Sequence, residues 1–252
     1  MTATDRRTRL GPGREIDQDG VGGTAATPAA VLWDMDGLLV DSEPVWTVAE
    51  SELAERLGGR WDEDAKAAVV GARLDVAVPL ILRWFGAEPS PERVAETSAW
   101  LLGRMVQLFA QDLPVMPGAL SLLAGLRDAG VPQALVSSSY RVLVDAALRT
   151  GPFSVTGGSP FALTLAGDEV VHAKPHPEPY LTAAERLGVD PVRCVVLEDS
   201  PTGAASGQVA GCAVVAVPSV AGVAMTPGPR RLVVASLTDV TVADLGRLAA
   251  QA

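Results

Sequence analysis

The stretch Val31-Leu32-Trp33-Asp34-Met35-Asp36-Gly37 decides how this chain is read: an apolar run closes on two carboxylates two residues apart, then on a glycine. A run this short and apolar, opening at Ala29, has the form of a strand buried on both faces. Residues i and i+2 share a side of an extended backbone, so Asp34 and Asp36 are expected to project together from its end. Like charges held that close repel by about 4 kcal/mol at 4 Å in a medium of intermediate polarity. Alone, the pattern could equally be a capped turn. What separates the two readings is the rest of the chain.

Downstream, the hydrophobic period changes. Ser42 can cap a helix, Pro44 suits its first turn, and Trp46, Ala49, Leu53 and Leu57 follow at helical spacing before Gly58-Gly59. Further helices are predicted at Glu63–Val70, Val76–Phe85 and Pro91–Gln111, and nothing between Val45 and Val115 reads as a strand series. An all-helical module over 45–117 is expected, ended by Pro114 and Pro117-Gly118. Beyond it helices (Ala119–Ala129, Tyr140–Arg149, Pro177–Leu187, Pro201–Ala210) alternate with strands (Gln133–Ser137, Cys194–Glu198, Ala213–Val217, Leu232–Ser236). Phe153–Leu165 reads as a strand with a loop. This alternation implies an α/β fold, a doubly wound parallel sheet built from 29–44 and 118–252. The helical insert follows its first strand directly and is expected to sit over that edge as a lid. Residues 1–28, rich in Gly, Thr, Ala, Pro and charge without apolar period, read as a disordered leader.

Composition narrows the function. With 252 residues, 48% of them hydrophobic, the chain can bury one sizeable core. A formal charge of −10 and no basic block argue against nucleic-acid binding. No apolar stretch has membrane-spanning length, and no secretory pattern follows Arg6, Arg7 and Arg9, so a cytoplasmic protein, monomeric or weakly dimeric, is expected. Its 2 cysteines, Cys194 and Cys212, form no Cys-x-x-Cys pair, and Cys194 reads as a buried thiol. Asn is absent, and only Lys66 and Lys174 are lysines among the 20 basic residues. A lysine in so Arg-preferring a chain suggests a need for a compact point charge.

Four segments end a predicted strand or begin the next helix: Asp34-Met-Asp36-Gly37, Val136-Ser137-Ser138-Ser139, Lys174-Pro175 and Leu197-Glu198-Asp199-Ser200. In a doubly wound sheet all four gather at one edge, where ligands bind. Four acids there, Asp34, Asp36, Glu198 and Asp199, call for a cation. All-oxygen ligation suits Mg2+, which bridges readily to a substrate phosphate. Lys174 can add a compensating charge, though prolines on either side also fit a surface loop. Ser137 and Ser138 can offer hydroxyl and N–H groups to phosphate oxygens at a helix start, or simply cap it. His172 and His176 flank Lys174 in a Pro-rich loop with no metal-ligand partner evident, and read as surface residues.

Motif by motif, these residues resemble the haloacid dehalogenase superfamily of phosphotransferases, over nearly all of 30–220. Asp34-Met-Asp-Gly-Leu-Leu-Val-Asp-Ser-Glu-Pro44 is close to the branch of β-phosphoglucomutase and the small sugar-phosphate phosphatases, and looks most like 2-deoxyglucose-6-phosphate and hexitol phosphatases. The resemblance implies a Rossmann-like core with a helical cap and hydrolysis of a small phosphorylated metabolite, a sugar or polyol phosphate, through an aspartyl phosphate. It further implies Asp34 as nucleophile and metal ligand, and Asp36 as acid/base and ligand through its carbonyl. Ser137, Ser138 and Lys174 would hold the phosphoryl group, and Asp199 with Glu198 would complete the Mg2+ shell. Glu43 and Arg73 would touch substrate, Arg73 through a segment, Gly71-Ala-Arg73, similar to a specificity loop; a helix-start arginine is the plainer reading.

The sequence departs from relatives at Leu38, where many have Thr, and at Arg141, near a mutase Asn, where phosphate contacts could change. Asp36 argues against a dehalogenase. Lys66, in a Glu/Asp-rich helix, reads as solvated rather than as a phosphonatase lysine, and no Gly-x-Ser-x-Gly elbow exists. A phosphosugar mutase and a non-catalytic phosphate-binding relative are the alternatives kept open.

Overall fold

The structure, a computed structural model, describes residues 27–69, 72–149, 153, 159–219 and 225–251. The expected leader therefore lies almost wholly outside the described residues, as do Gly71, 151–152 and 154–158.

Among the described residues, six strands form one parallel sheet: β1 (Ala30–Trp33), β2 (Gln133–Val136), β3 (Leu163–Leu165), β4 (Cys194–Glu198), β5 (Ala213–Ala216) and β6 (Arg231–Val233), ordered β3-β2-β1-β4-β5-β6. The α/β class and doubly wound topology are as expected. The winding reverses between β1 and β4, and such a switch point opens a crevice beyond the strands' carboxyl ends. Val31 pairs with Val195 and Trp33 with Leu197, which sets Asp34 level with Glu198 across that crevice.

β1, β2, β4 and β5 are buried on both faces, which explains their continuous Ala/Val/Leu runs. Their alternation separates two apolar layers. Val31, Trp33, Leu135, Val195, Leu197 and Val215 face one side, and Leu32, Ala134, Val136, Val196 and Val214 face the other, where Tyr180, Ala183 and Ala184 cover them. The helices that flank the sheet are α5 (Ala119–Asp128), α6 (Arg141–Arg149), α7 (Glu178–Leu187), α8 (Pro201–Val209) and α9 (Val242–Ala249). A buried side chain the size of Leu contributes roughly 2 kcal/mol by leaving water. Trp33 pairs its indole N–H with Gln133 Oε1 at 3.1 Å, and the Gln133 amide donates to Leu123 O at 3.1 Å, so neither polar group is stranded.

Among the described residues, four helices occupy the interval after β1 without a strand between them: α1 (Glu43–Arg56), α2 (Glu63–Ala67), α3 (Leu74–Trp84) and α4 (Pro91–Gln111). The apolar face of α3 (Leu74, Val78, Ile81, Leu82) shares a core with Leu101, Met105 and Phe109 of α4. Arg104 clamps Glu52 of α1 through two bonds of 2.6 and 2.7 Å. The chain enters and leaves this insert side by side. Asp41 N donates to Pro114 O at 2.8 Å, and Met116 N donates to Leu39 O at 3.0 Å.

Several local expectations change. Ser42 does not cap α1: its hydroxyl is committed to Asp36, as described below. Among the described residues of Phe153–Leu165, Leu163–Leu165 is a strand. The last strand stops at Val233, because Ser236 turns to cap the short turn Leu237–Asp239. Helix α2 is shorter than predicted, and α3 starts two residues earlier, with Arg73 extended before it. Among the described residues no helix is long and apolar enough to cross a membrane.

Candidate active site

Asp34 follows β1 directly, and its N–H donates to Leu197 O at 3.0 Å, so the strand pairing itself fixes its place. The backbone then folds into a turn, with Leu39 N and Val40 N both donating to Met35 O. Gly37 sits there at φ 80°, and a Cβ on it would lie 2.2 Å from Asp199 Oδ2, so both conformation and space require glycine.

Lys174 lies at the centre. Its ammonium donates to Asp34 Oδ1 at 2.6 Å, Glu198 Oε1 at 2.7 Å and Val136 O at 2.9 Å, which uses all three of its protons. Its nitrogen also sits 4.8 Å from the centre of the Tyr180 ring. The alternative of a surface-loop lysine is excluded, since this side chain is 5% exposed. Glu198, fully buried, also accepts from the Tyr180 hydroxyl at 2.6 Å and from the Ser200 hydroxyl at 3.0 Å. Helix α8 can approach it only because residue 203 is glycine: a Cβ there would fall 1.7 Å from Glu198 Oε1.

Asp36 faces different company. The strand ends before it, so the two carboxylates leave a turning backbone and meet separate partners. Asp36 Oδ1 accepts from the Ser42 hydroxyl at 2.6 Å, and Oδ2 accepts from those of Ser139 at 2.8 Å and Ser137 at 3.3 Å. Ser138 is exposed. The first N–H of α6, on Arg141, is already taken by Asp168 Oδ1 at 2.8 Å, so that amide is not left open for an anion.

The electrostatics follow from the crowding. Burial, then the neighbouring Glu198, Asp199 and Asp36, drive the Asp34 carboxyl well above the usual carboxylate range, against the pull of Lys174. Burial and Glu198 push Asp199 up to about 7. Burial works against the Lys174 charge as well, but Asp34 and Glu198 overcome it and raise its pKa, so the ammonium stays protonated. Four carboxylates against one ammonium leave excess negative charge. One oxygen each from Asp34, Glu198 and Asp199 lie within 4.8 Å of one another, so this acidic cluster fits a metal cation.

The other predicted residues stand apart from that centre. Glu43 pairs with Lys66 at 2.6 Å, and Lys66 also reaches the Thr47 hydroxyl at 3.4 Å, so Lys66 is an ion-pair partner rather than a solvated lysine. Arg73 holds Asp75 at 3.3 Å and reaches from the insert to Gly167 O at 3.4 Å. Gly167 N in turn donates to Ser139 O at 2.8 Å, so Arg73 touches the turn that supports the serines. Arg141 turns away from any phosphate, onto Glu169 at 2.6 Å and Thr164 Oγ1 at 2.8 Å. Sequence reasoning missed Tyr180, Ser139, Ser42 as a partner of Asp36, and Ser219, whose hydroxyl donates to Asp199.

A doubly wound sheet with four carboxylates and a lysine at its switch point, next to a helical insert, defines an α/β protein whose candidate site is the crevice between β1 and β4. The family model of haloacid dehalogenase-like hydrolases matches residues 28–211, and the chain belongs to that family. Hexitol phosphatase B of Escherichia coli is 32% identical over 226 residues, 86% of this chain and 96% of its own length. A phosphorylated carbohydrates phosphatase of Thermotoga maritima is 30% identical over 186 residues, 72% of this chain and 81% of its own. CbbY from Rhodobacter sphaeroides, solved in complex with phosphate, superposes with a TM-score of 0.73 at 26% identity, over 84% of this chain and 96% of that one. The chain is accordingly a phosphoric monoester hydrolase of the sugar-phosphate phosphatase branch.

Proposed function

We propose that this enzyme hydrolyses a small sugar or polyol phosphate with Mg2+, using Asp34 as nucleophile through an aspartyl phosphate. The observation that carries the reading is the 2.6 Å contact between Lys174 and buried Asp34, two residues before a second carboxylate held by hydroxyls alone. Asp34, Asp199 and Glu198, with the Asp36 carbonyl, would hold Mg2+, which when bound supplies positive charge to the phosphoryl oxygens.

Lys174 holds one oxygen of Asp34, and the other attacks phosphorus as the ester oxygen departs. Asp36 donates its proton to the leaving alkoxide, and the adjacent hydroxyls of Ser42 and Ser139 keep its carboxyl aimed. As a carboxylate, Asp36 then takes a proton from the water that cleaves the acyl phosphate, which frees Asp34 and inorganic phosphate. Ser137 and Ser138 would receive the phosphoryl oxygens, and the Lys174 ammonium would join them by exchanging one of its three present hydrogen bonds for the phosphate. The polyol or sugar reading rests on the two phosphatases above, one named for hexitols and one for phosphorylated carbohydrates. Arg73, reaching from the insert to the turn behind the serines, and Glu43, with Lys66, are the groups we assign to the substrate's hydroxyl end. Lys66 and Arg73 belong to the insert, so substrate choice would lie there.

The test is phosphate release from a panel of sugar, polyol and glycolytic phosphates in Mg2+. Release of inorganic phosphate is expected; an isomerised sugar phosphate instead would make the enzyme a mutase. Asp34→Asn is expected to lower turnover by at least about 1,000-fold with the native fold retained by circular dichroism, at a lower melting midpoint because Lys174 loses a buried partner. Substantial residual activity in that variant would sink the nucleophile assignment.

A further inference from the structure

The chain's only two histidines, His172 and His176, sit on either side of Lys174, and the structure gives them the partner that their spacing did not reveal. His176 N donates to Ala173 O at 2.9 Å, a tight bend that folds the loop back and stacks the two imidazoles with centres 4.4 Å apart. Glu178, in the first turn of α7, reaches back to the same place. Its Oε2 lies 2.7 Å from His172 Nδ1. One nitrogen of each histidine and one oxygen of Glu178 lie within 4.8 Å of one another.

Two features distinguish this from a chance meeting of surface side chains. The carboxylate is fixed before any ion arrives, since Oε1 accepts from Val171 N at 2.7 Å and Oε2 from His172 N at 2.9 Å. The loop is fixed from beneath as well: the hydroxyl of Ser206, itself fully buried, donates to His176 O at 2.7 Å. A ligand held by backbone amides needs no reordering when a metal binds. Both imidazoles are exposed. His176 Nδ1 accepts from Glu178 N at 3.2 Å, and His172 Nδ1 lies 2.7 Å from Glu178 Oε2. Small rotations that draw the His176 ring in and the His172 ring back would reach the roughly 3.3 Å spacing implied by metal–nitrogen bonds of about 2.0–2.1 Å.

We propose that His172, His176 and Glu178 form a binding site for a borderline transition-metal cation, Zn2+ or its analogues Co2+ and Ni2+. The chemistry separates it from the acidic cluster around Asp34. Two imidazole nitrogens and one carboxylate match zinc-type ions and disfavour Mg2+, and three protein ligands leave a position open for water. The site does not depend on the phosphatase assignment.

Cobalt titration of the full chain, in excess Mg2+, tests this through the visible absorption of a low-coordinate Co2+ ion. One equivalent is expected to bind to the wild type, displaced by Zn2+, and the signal should persist in Asp199→Asn. It should weaken at least tenfold in His172→Ala and vanish in the His172→Ala/His176→Ala double variant, each with a melting profile like that of the parent. Both histidine changes leave the Glu178 anchors untouched, so loss of signal with a retained fold is a loss of ligands. Retained absorption in the double variant, its loss in Asp199→Asn, or no absorption in the wild type would overturn the proposal.

Discussion

Two cationic side chains hold this molecule's switch region together, and they do so in opposite ways. Lys174 is almost fully enclosed with Asp34 and Glu198, whereas Arg141 is a half-exposed fork that joins α6 to the turn Gly167–Glu169 and, through Thr164, to β3. Arg141 gives up little hydration and gains little: such a surface network is a scaffold clamp. Lys174 loses most of its hydration, and burying ions costs several kcal/mol apiece unless the geometry compensates fully. A well-packed apolar cluster would hold these strands as firmly. The buried ions make sense as chemistry kept poised, with a compact ammonium rather than a guanidinium fork because three acceptors converge on one point.

Three experiments widen or narrow that contrast. The largest effect is expected for Glu198→Gln, which leaves Lys174 with one carboxylate fewer in a dry site. Breaking a buried pair in this way costs about 3 kcal/mol, read as a lowered midpoint in chemical denaturation, and turnover should fall as Lys174 shifts. A stability equal to the parent's would mean that Tyr180 and Ser200, not the ion pair, hold that position.

An intermediate effect concerns pH. Asp199 is raised to about 7 by burial and Glu198, Asp34 is raised by burial, and Glu50 of the insert is raised to about 7 by burial and Glu43. A carboxyl with a higher pKa folded than unfolded binds its proton more tightly in the native state. Its contribution is therefore complete below the ordinary carboxylate range near 4 and is lost as pH rises through 7. Carboxyls with lowered values, such as Glu52 and Glu169, act in the opposite sense, but only below about 4.5. Metal-free protein should thus melt several degrees lower at pH 8 than at pH 5. Mg2+ should remove most of that slope, and Glu50→Gln most of what remains. A flat metal-free profile would show that the acidic cluster carries no strain.

The smallest effect belongs to Arg141→Ala, expected to cost no more than about 1 kcal/mol and to be weakened further by salt. If it instead matched Glu198→Gln, the two clamps would be equivalent and the comparison would fail.

How far the sequence revealed this arrangement follows from the range of the interactions. The strand with its acids, the alternation of strand and helix and the scarce lysine are local signals, and they brought Asp34, Asp36, Lys174, Glu198 and Asp199 to one edge. Partners chosen across the sheet were hidden. Ser139 meets Asp36 across 103 residues because β2 lies beside β1, and nothing local to α7 marks Tyr180 as the residue whose hydroxyl reaches Glu198. Ser42 has every property of a helix cap, but the nearby Asp36 carboxylate claimed its hydroxyl. Arg141, expected to change phosphate contacts, is instead taken up by oxygens of three neighbours, Glu169, Asp145 and Thr164.

The paired crossing of Leu39–Asp41 with Pro114–Met116 has a consequence of its own. A polypeptide that departs and returns at one laced doorway asks nothing of the sheet beyond the width of a hairpin. What hangs beyond that doorway can lengthen, shrink or be replaced without shifting the register that sets Asp34 beside Glu198. One contiguous stretch of chain can thus be exchanged while Asp34 and Glu198 keep their places.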